Sequence, residues 1–248
     1  MLIAMSRSWF PFPPVNEDPE IRVFCFAHAG GNASFFRDWR GSGGHVEFYP
    51  VQLPGHGNRL GEPPLTRLED LVAAFAEAAE PLLDRPFALF GHSFGAWLAH
   101  AAAQQIRTNY GQTARHLFVS GNVPPKKTPI YNPILLNTDA DAKHYLTVLG
   151  GTSSDLIENE DLISMFLPVF RNDINLLRKY VDRNDELLNF PITAFLGTED
   201  PLHTQSSILD WNNYTLSNFD YHLFPGGHFY LEDFMKDITL VIASSLIS

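Results

Sequence analysis

Cysteine is nearly absent: Cys25 is the single one among 248 residues, so no disulfide can close within the chain. This fits a reducing compartment, and a cytoplasmic location is expected. Cys25 lies in an apolar, strand-like run, which makes it a small buried hydrophobe. Cations are scarce too. Lys and Arg number 17 against 28 Asp and Glu, a net charge of −11, which argues against binding to nucleic acid or to an anionic membrane. A local basic patch facing an acidic partner is still allowed. No stretch approaches the roughly 18 apolar residues of a membrane span. The apolar start, Met1 to Met5, is too short for a signal-peptide core and runs into Arg7, Trp9 and prolines. Repeats and low-complexity segments are missing as well. What is present, 45% hydrophobic and 18% charged residues, suits a soluble globular protein, and the length suits a single domain over residues 1–248.

Strand-like and helical patterns alternate. Residues 9–19 carry prolines that exclude helix. Residues 21–26 (IRVFCF) read as a strand ending in a glycine loop at 27–31, and 33–40 as a helix. A second strand is expected over 46–53. Over 66–84, Leu68, Leu71, Val72, Phe75, Ala79, Leu82 and Leu83 recur at helical spacing behind a capping-box pair, Thr66 and Glu69. Further strands are expected at 87–90, 117–120, 192–196 and 221–224, and helices at 96–106 and 234–247. This rhythm predicts an α/β fold with a mostly parallel sheet covered on both faces. About 70 residues separate the strand ending at Ser120 from the one starting at Ile192, far more than the dozen or so a crossover needs. The excess, with helical segments at 139–149, 160–170 and 173–181, reads as a lid inserted over roughly 123–185. The alternative is extra packing helices without a gating role.

The chemistry centres on Gly91-His92-Ser93-Phe94-Gly95, a G-x-S-x-G. Three fixed residues arise by chance in a chain of this length about one time in ten, so context decides. Here an apolar strand precedes the motif and a helix follows, the strand–turn–helix setting of an exposed nucleophilic serine. Ser93 needs a base. His228, in the glycine loop after the last expected strand, sits where α/β sites gather. His28, His56 and His92 also lie near strand ends. His92, next to the serine on the turn, points elsewhere, and His100 lies within a helix. An acid must orient the base. Asp200, in Gly197-Thr198-Glu199-Asp200-Pro201, is the better candidate and Glu199 its rival. The order Ser93, Asp200, His228 is that of the α/β-hydrolase fold. Oxyanion donors are expected from the N–H of Phe94 and from the first loop, where Ala29 is favoured and His28 comes next.

These residues sit among longer stretches that resemble one family. They are Phe26-Ala27-His28-Ala29-Gly30-Gly31, Gln52-Leu53-Pro54-Gly55-His56-Gly57-Asn58-Arg59, the elbow at Ser93, Ser120-Gly121-Asn122-Val123-Pro124-Pro125, Leu167-Pro168 with Arg171-Asn172-Asp173, and Gly226-Gly227-His228-Phe229. Together they resemble the type II, editing thioesterases of non-ribosomal peptide and polyketide synthases, and they span nearly the whole chain. There are departures. The family usually has proline before the His28 position, and arginine is common where this chain has His56.

The resemblance implies a thioesterase that hydrolyses acyl or aminoacyl groups from the phosphopantetheine thiol of acyl or peptidyl carrier domains through an acyl-Ser93 intermediate. It implies no cofactor and no metal. A monomer is favoured. Phe166, Phe170, Leu162 and Leu156 are candidates to line an acyl chamber, although such spacing commonly means core packing. Lys126, Lys127, Arg171, Arg178 and Lys179 are candidates to meet an acidic carrier, although a solvated charged face is the commoner meaning of such residues. Three other functions share these residues: a carboxylesterase or lactonase acting on free small molecules, an acyltransferase with an acceptor other than water, and a non-catalytic carrier-binding module. The intact Ser93, Asp200 and His228 argue against the last.

Overall fold

The apolar run at residues 21–26 forms strand β1 (Ile21–Phe26), buried along its whole length. Its alternate side chains serve two different cores. Phe24 and Phe26 join one apolar cluster, while Val23 and Cys25 join another across the sheet. Such two-sided burial explains why the sequence is apolar without alternation from Val23 to Phe26. The computed structural model describes residues 7–125, 136, 138–182 and 186–247.

The remaining strands are β2 (Val46–Pro50), β3 (Phe87–His92), β4 (Leu117–Ser120), β5 (Ile192–Gly197) and β6 (Phe219–Phe224). They form one sheet in the order β2-β1-β3-β4-β5-β6. Every neighbouring pair is parallel, as in the expected α/β fold. All six strands therefore end on the same edge, and the loops carrying the candidate residues converge there. The expected second strand is too long. Beyond Pro50 the pairing with β1 ends after one more bond: Val51 N still donates to Cys25 O at 2.9 Å, but Gln52 N turns to Trp9 O at 2.8 Å.

Helix α1 (Leu68–Ala79) packs Leu71, Val72 and Phe75 onto one face of the sheet. The expected capping box does not form there. Arg67 is the N-cap and makes no side-chain cap bond. Glu69 and Asp70 instead place negative charge in the first turn, where the helix dipole favours it. Helix α2 (Phe94–Tyr110) lies on the same face and is almost wholly buried, which its alanines permit. A 3-10 segment, Ala33–Trp39, stands where a regular helix is expected. Together with the last helix, over Met235–Ser245, it covers the opposite face through Phe36, Trp39, Ile238 and Ile242.

Between β4 and β5 lie α3 (Asp139–Leu149), α4 (Ser154–Glu158) and α5 (Glu160–Lys179). The sequence suggests two helices where α5 is one. Pro168 does not break it, because Pro168 and Ser164, whose carbonyl loses its usual donor, both face water. Ile163, Leu167, Phe170, Leu176 and Leu177 hold the other face of α5 in the core. The chain closes with α6 (Met235–Ser245). Among the described residues, no helix is long and apolar enough to cross a membrane.

Candidate active site

The tightest part of the site is the turn at the end of β3. Ser93 adopts φ 55°, ψ −117°, and it is the one non-glycine residue with positive φ among those described. Such a conformation costs about 1–3 kcal/mol and persists only where its surroundings enforce it. Three hydrogen bonds do so: Ser93 N donates to Ser120 O at 2.8 Å, and Ser93 O accepts from Ala96 N at 3.0 Å and from Asn122 Nδ2 at 2.9 Å. The flanking glycines are required by contact. A Cβ on Gly91 would lie 2.0 Å from Gly95 O, and one on Gly95 would lie 2.1 Å from Phe26 O. The second approach brings the start of α2 against the end of β1. There Phe94 opens α2 with an N–H that has no upstream helical carbonyl to serve.

The loop after β1 turns tightly, with Gly30 at φ +73° and Gly31 N donating to His28 O at 2.9 Å. Ala29 in that turn borders the same small cavity as Ser93 and His228.

Two further loops are zipped together to bring Asp200 beside His228. Thr198 N donates to Phe224 O at 2.8 Å and Glu199 N to Gly226 O at 2.9 Å. A Cβ on Gly197 would meet Gly227 O at 2.2 Å, so only glycine lets the loops approach this closely. Asp200 Oδ2 accepts from His228 Nδ1 at 2.7 Å, and its Oδ1 accepts from Leu202 N and His203 N at 2.8 and 3.2 Å. Both side chains are sealed from solvent, at 1% exposure for His228 and 0% for Asp200. Burial pushes the Asp200 carboxyl up, but the hydrogen bond and charge of His228 and the N–H of Leu202 outweigh it and hold it below its ordinary value. His228 Nε2, on the far side of the ring, is buried and has no hydrogen-bond partner among the described residues. Glu199 is exposed, which decides the geometry in favour of Asp200.

The other histidines separate cleanly. His92 Nδ1 lies 2.9 Å from Ser120 Oγ, which in turn lies 2.7 Å from Tyr230 OH. Its ring sits 5.0 Å from that of His228, and burial keeps it neutral, well below its ordinary pKa. His28 borders the cavity and is held neutral, its pKa lowered to about 3 by burial and then by His228 and His56. His100 packs on Trp211 and Tyr214, away from the cavity. His56 pairs with Asp173 at 2.8 Å.

The cavity at Ser93 has a volume of about 20 Å³, room for one water. Tyr145, Leu146, Phe170 and Leu177 close it from the α3 and α5 side. Of the four chamber residues expected from sequence, only Phe170 borders it. Leu162 is half exposed, Leu156 packs on the core margin, and Phe166 covers Gly30. The helical repeat explains the miss: it marks one face of α5 but not which part of that face overhangs Ser93. Among the basic candidates, Arg171 binds Leu136 O and Asp139 within the helical insertion, while Arg178 and Lys179 are exposed. Lys126 and Lys127 lie outside the described residues. A larger groove, about 1210 Å³, crosses the opposite end of the strands between Asp84, Arg115 and Asp220 and is remote from this chemistry.

Sequence reasoning missed Asn122, Asp173 and the Ser120–Tyr230 pair. Asp173 left a signal. It is an acid at a buried position of the apolar repeat of α5, and such a residue needs a partner.

A model of the thioesterase domain family matches residues 21–243. Linear gramicidin dehydrogenase LgrE of Brevibacillus parabrevis is 35% identical, over 98% of this chain and 94% of that protein. Gramicidin S biosynthesis protein GrsT of Aneurinibacillus migulanus is 34% identical, over 98% of this chain and 99% of that protein. Among solved structures, the type II thioesterase BorB from the borrelidin biosynthetic cluster superposes with a TM-score of 0.85 at 30% identity, covering 94% of this chain and 95% of that one. The chain belongs to the thioesterase family, within the α/β-hydrolase fold, and is a thioester hydrolase of the serine type.

Proposed function

We propose that Ser93 is the nucleophile, His228 the base and Asp200 the acid that orients it, with the N–H groups of Phe94 and Ala29 as oxyanion donors. The observation that carries this reading is the His228 ring. Its Nδ1 is fixed on Asp200 at 2.7 Å, while Nε2 is buried and has no hydrogen-bond partner among the described residues, and His228 lines the cavity that Ser93 borders. Asp200 thereby places the ring proton on Nδ1, which leaves the Nε2 lone pair to take the proton of Ser93 Oγ. Oγ attacks the thioester carbonyl, and the charge on its oxygen meets Phe94 N–H and Ala29 N–H. The C–S bond breaks, and the sulfur, a good leaving group, takes the proton from Nε2 and departs as the free thiol, which leaves Nε2 unprotonated again. Water then gives its proton to Nε2 and attacks the acyl-Ser93 carbonyl. The acid is released and the proton returns to Ser93 Oγ.

The substrate in this reading is an acyl or aminoacyl group on the phosphopantetheine arm of a carrier-protein domain, removed as an editing step in non-ribosomal peptide or polyketide synthesis. The names of GrsT and BorB, both tied to biosynthesis, support it. LgrE is named a dehydrogenase. In this chain the turn after β1 reads Ala27-His28-Ala29-Gly30-Gly31-Asn32, without the G-x-G-x-x-G that seats a dinucleotide at such a turn, and hydrolysis fits the site better. Residues 123–185 act as a lid of one 1–248 domain, and exposed Arg178 and Lys179 meet the acidic carrier. The enzyme works as a monomer in the cytoplasm.

The test is hydrolysis of one acyl group offered on a phosphopantetheinylated carrier protein, as the free pantetheine thioester, and as the matched oxygen ester, with Ser93→Ala alongside. Preference for the carrier-bound thioester and an inert variant are expected. Equal cleavage of the oxygen ester without benefit from the carrier overturns the substrate assignment in favour of a small-molecule esterase. An active Ser93→Ala overturns the triad.

A further inference from the structure

His56 and Asp173 meet beneath the first loop, on two segments far apart in sequence. Asp173 Oδ2 accepts from His56 Nε2 at 2.8 Å and from Gly30 N, also at 2.8 Å. One carboxylate oxygen therefore ties α5, the His56 loop and the turn bearing Ala29 to a single point. The pair is buried, His56 at 3% and Asp173 at 1% side-chain exposure. Both ring nitrogens of His56 face oxygens that can only accept: Nε2 faces the carboxylate, and Nδ1 faces Pro54 O at 2.9 Å. A neutral imidazole has one N–H and cannot serve both. The geometry therefore calls for the imidazolium.

We propose that His56 is a positioning residue for the thioesterase reaction, a buried cation whose pairing with Asp173 holds the Ala29–Gly30 turn in oxyanion-binding geometry and whose deprotonation releases that turn. The proposal rests on the reading of Ala29 as an oxyanion donor. Gly30 N–H on Asp173 fixes the Ala29–Gly30 peptide plane, and the bond from Gly31 N to His28 O fixes the other side of the turn. Phe166 of α5 lies directly on Gly30, where a Cβ would be 2.6 Å from its ring. Asp173 Oδ1 is buried without a partner among the described residues, so the carboxylate depends on Oδ2 and its two donors for stabilisation. When His56 loses its proton, either Pro54 O or Asp173 Oδ2 loses its donor, and the buried carboxylate faces an uncharged ring.

The charged groups around His56 are few. Asp173 of α5 favours the cation. Arg59, in the same loop, opposes it and is itself paired with Glu62. His28, in the first loop, is neutral at working pH. Burial opposes the charge on His56, but Asp173 and the Pro54 carbonyl outweigh it and raise its pKa above the ordinary value. The clamp is thus fully present below the ordinary histidine value, as long as Asp173 is ionised, and is lost as pH rises through the raised one.

Two measurements on the full chain test this. The first is ¹⁵N NMR of the His56 ring, assigned by its absence in His56→Gln. Both nitrogens should be protonated at pH 7, and a neutral ring at pH 7 overturns the proposal. The second is kcat/KM for a small acyl-pantetheine thioester against pH, corrected for spontaneous hydrolysis. Wild type should lose about tenfold per pH unit above an alkaline midpoint. His56→Arg, which carries a charge that does not titrate, should move that midpoint up by about one pH unit or more. An alkaline limb that is missing in wild type, or that stays in place in His56→Arg, overturns the clamp while Ser93→Ala remains inert. An active Ser93→Ala overturns the underlying reading instead. The NMR result stands even if the arginine variant does not fold.

Discussion

Asn122 holds the carbonyl of Ser93: its Nδ2 donates to Ser93 O at 2.9 Å, while its own carbonyl accepts from Trp211 Nε1 at 2.9 Å. Asn122, two residues beyond the end of β4, thus buttresses the strained turn after β3. Ser93 O keeps a second donor, Ala96 N, at 3.0 Å. Asn122→Ala therefore removes one of the two bonds to Ser93 O, and also the Oδ1 that accepts from Val123 N at 2.9 Å, and should cost at least about 1 kcal/mol. In a domain of this size that lowers Tm by about 2–4 °C. The looser serine should also cost about tenfold in kcat with little change in KM, because attack geometry is disturbed and binding is not. A KM-dominated loss would mean that Asn122 acts on substrate binding instead.

Ser93→Gly should separate strain from chemistry. The turn at φ 55° costs a non-glycine residue about 1–3 kcal/mol, and a glycine there forfeits about 0.5–1 kcal/mol of chain entropy. The net gain is about 1 kcal/mol, seen as a Tm about 2–4 °C above wild type. Ser93→Ala keeps the strain and should melt close to wild type. Both should be inactive by a factor of at least about 10³. Equal melting of the glycine and alanine variants would show that the backbone is not strained.

Much of this site is legible in the chain. Gly91 announces the elbow through a constraint local to a few residues, since a Cβ there would strike Gly95 O, whereas Gly95 must be glycine because of Phe26 O, far off in sequence. The largely apolar runs of β1, β3 and β5 announce buried parallel strands because both faces of each strand are covered. What escapes is set by pairing across long separations. Nothing near His56 in sequence says that residue 173 lies 2.8 Å away, nor that Asn122 reaches back to Ser93. Helix α1 shows the opposite error: Thr66 and Glu69 have the capping spacing, yet the helix starts behind Arg67 and the pair goes unused. The break expected between residues 170 and 173 is a similar error, since α5 runs unbroken from Glu160 to Lys179.

Asp200→Asn should lower kcat by about 10³–10⁴-fold, because an amide can hold His228 in the tautomer that leaves Nε2 protonated and useless as a base. It should also change acid stability in a defined direction. The folded carboxyl of Asp200 is depressed by His228 and Leu202 N–H against the opposing effect of burial. Its stabilisation is complete above the unfolded value of about 3.9 and is lost as pH falls through the lower folded value. Wild type should lose more stability than the variant between about pH 4 and the lower folded value. Parallel acid-unfolding curves for the two proteins would remove Asp200 from the charged network.

Phe170 should set acyl length. It is 2% exposed, borders the 20 Å³ cavity and stacks 5.9 Å from Phe166 at 16° between ring planes. As the chamber stands, an acyl chain longer than a few atoms must displace α5 side chains. Phe170→Ala should open the chamber at a cost of about 3–5 kcal/mol, lowering Tm by roughly 10 °C. Cleavage of octanoyl relative to acetyl thioester should then rise about tenfold in kcat/KM, since each accommodated methylene is worth about 1–3 kcal/mol and the repacked wall recovers only part of that. Leu162→Ala, on the exposed side of α5, should leave the ratio unchanged. A folded Phe170→Ala with the wild-type ratio would mean that long chains bind by swinging α5 away whole, and the wall of the closed cavity would then say nothing about preference.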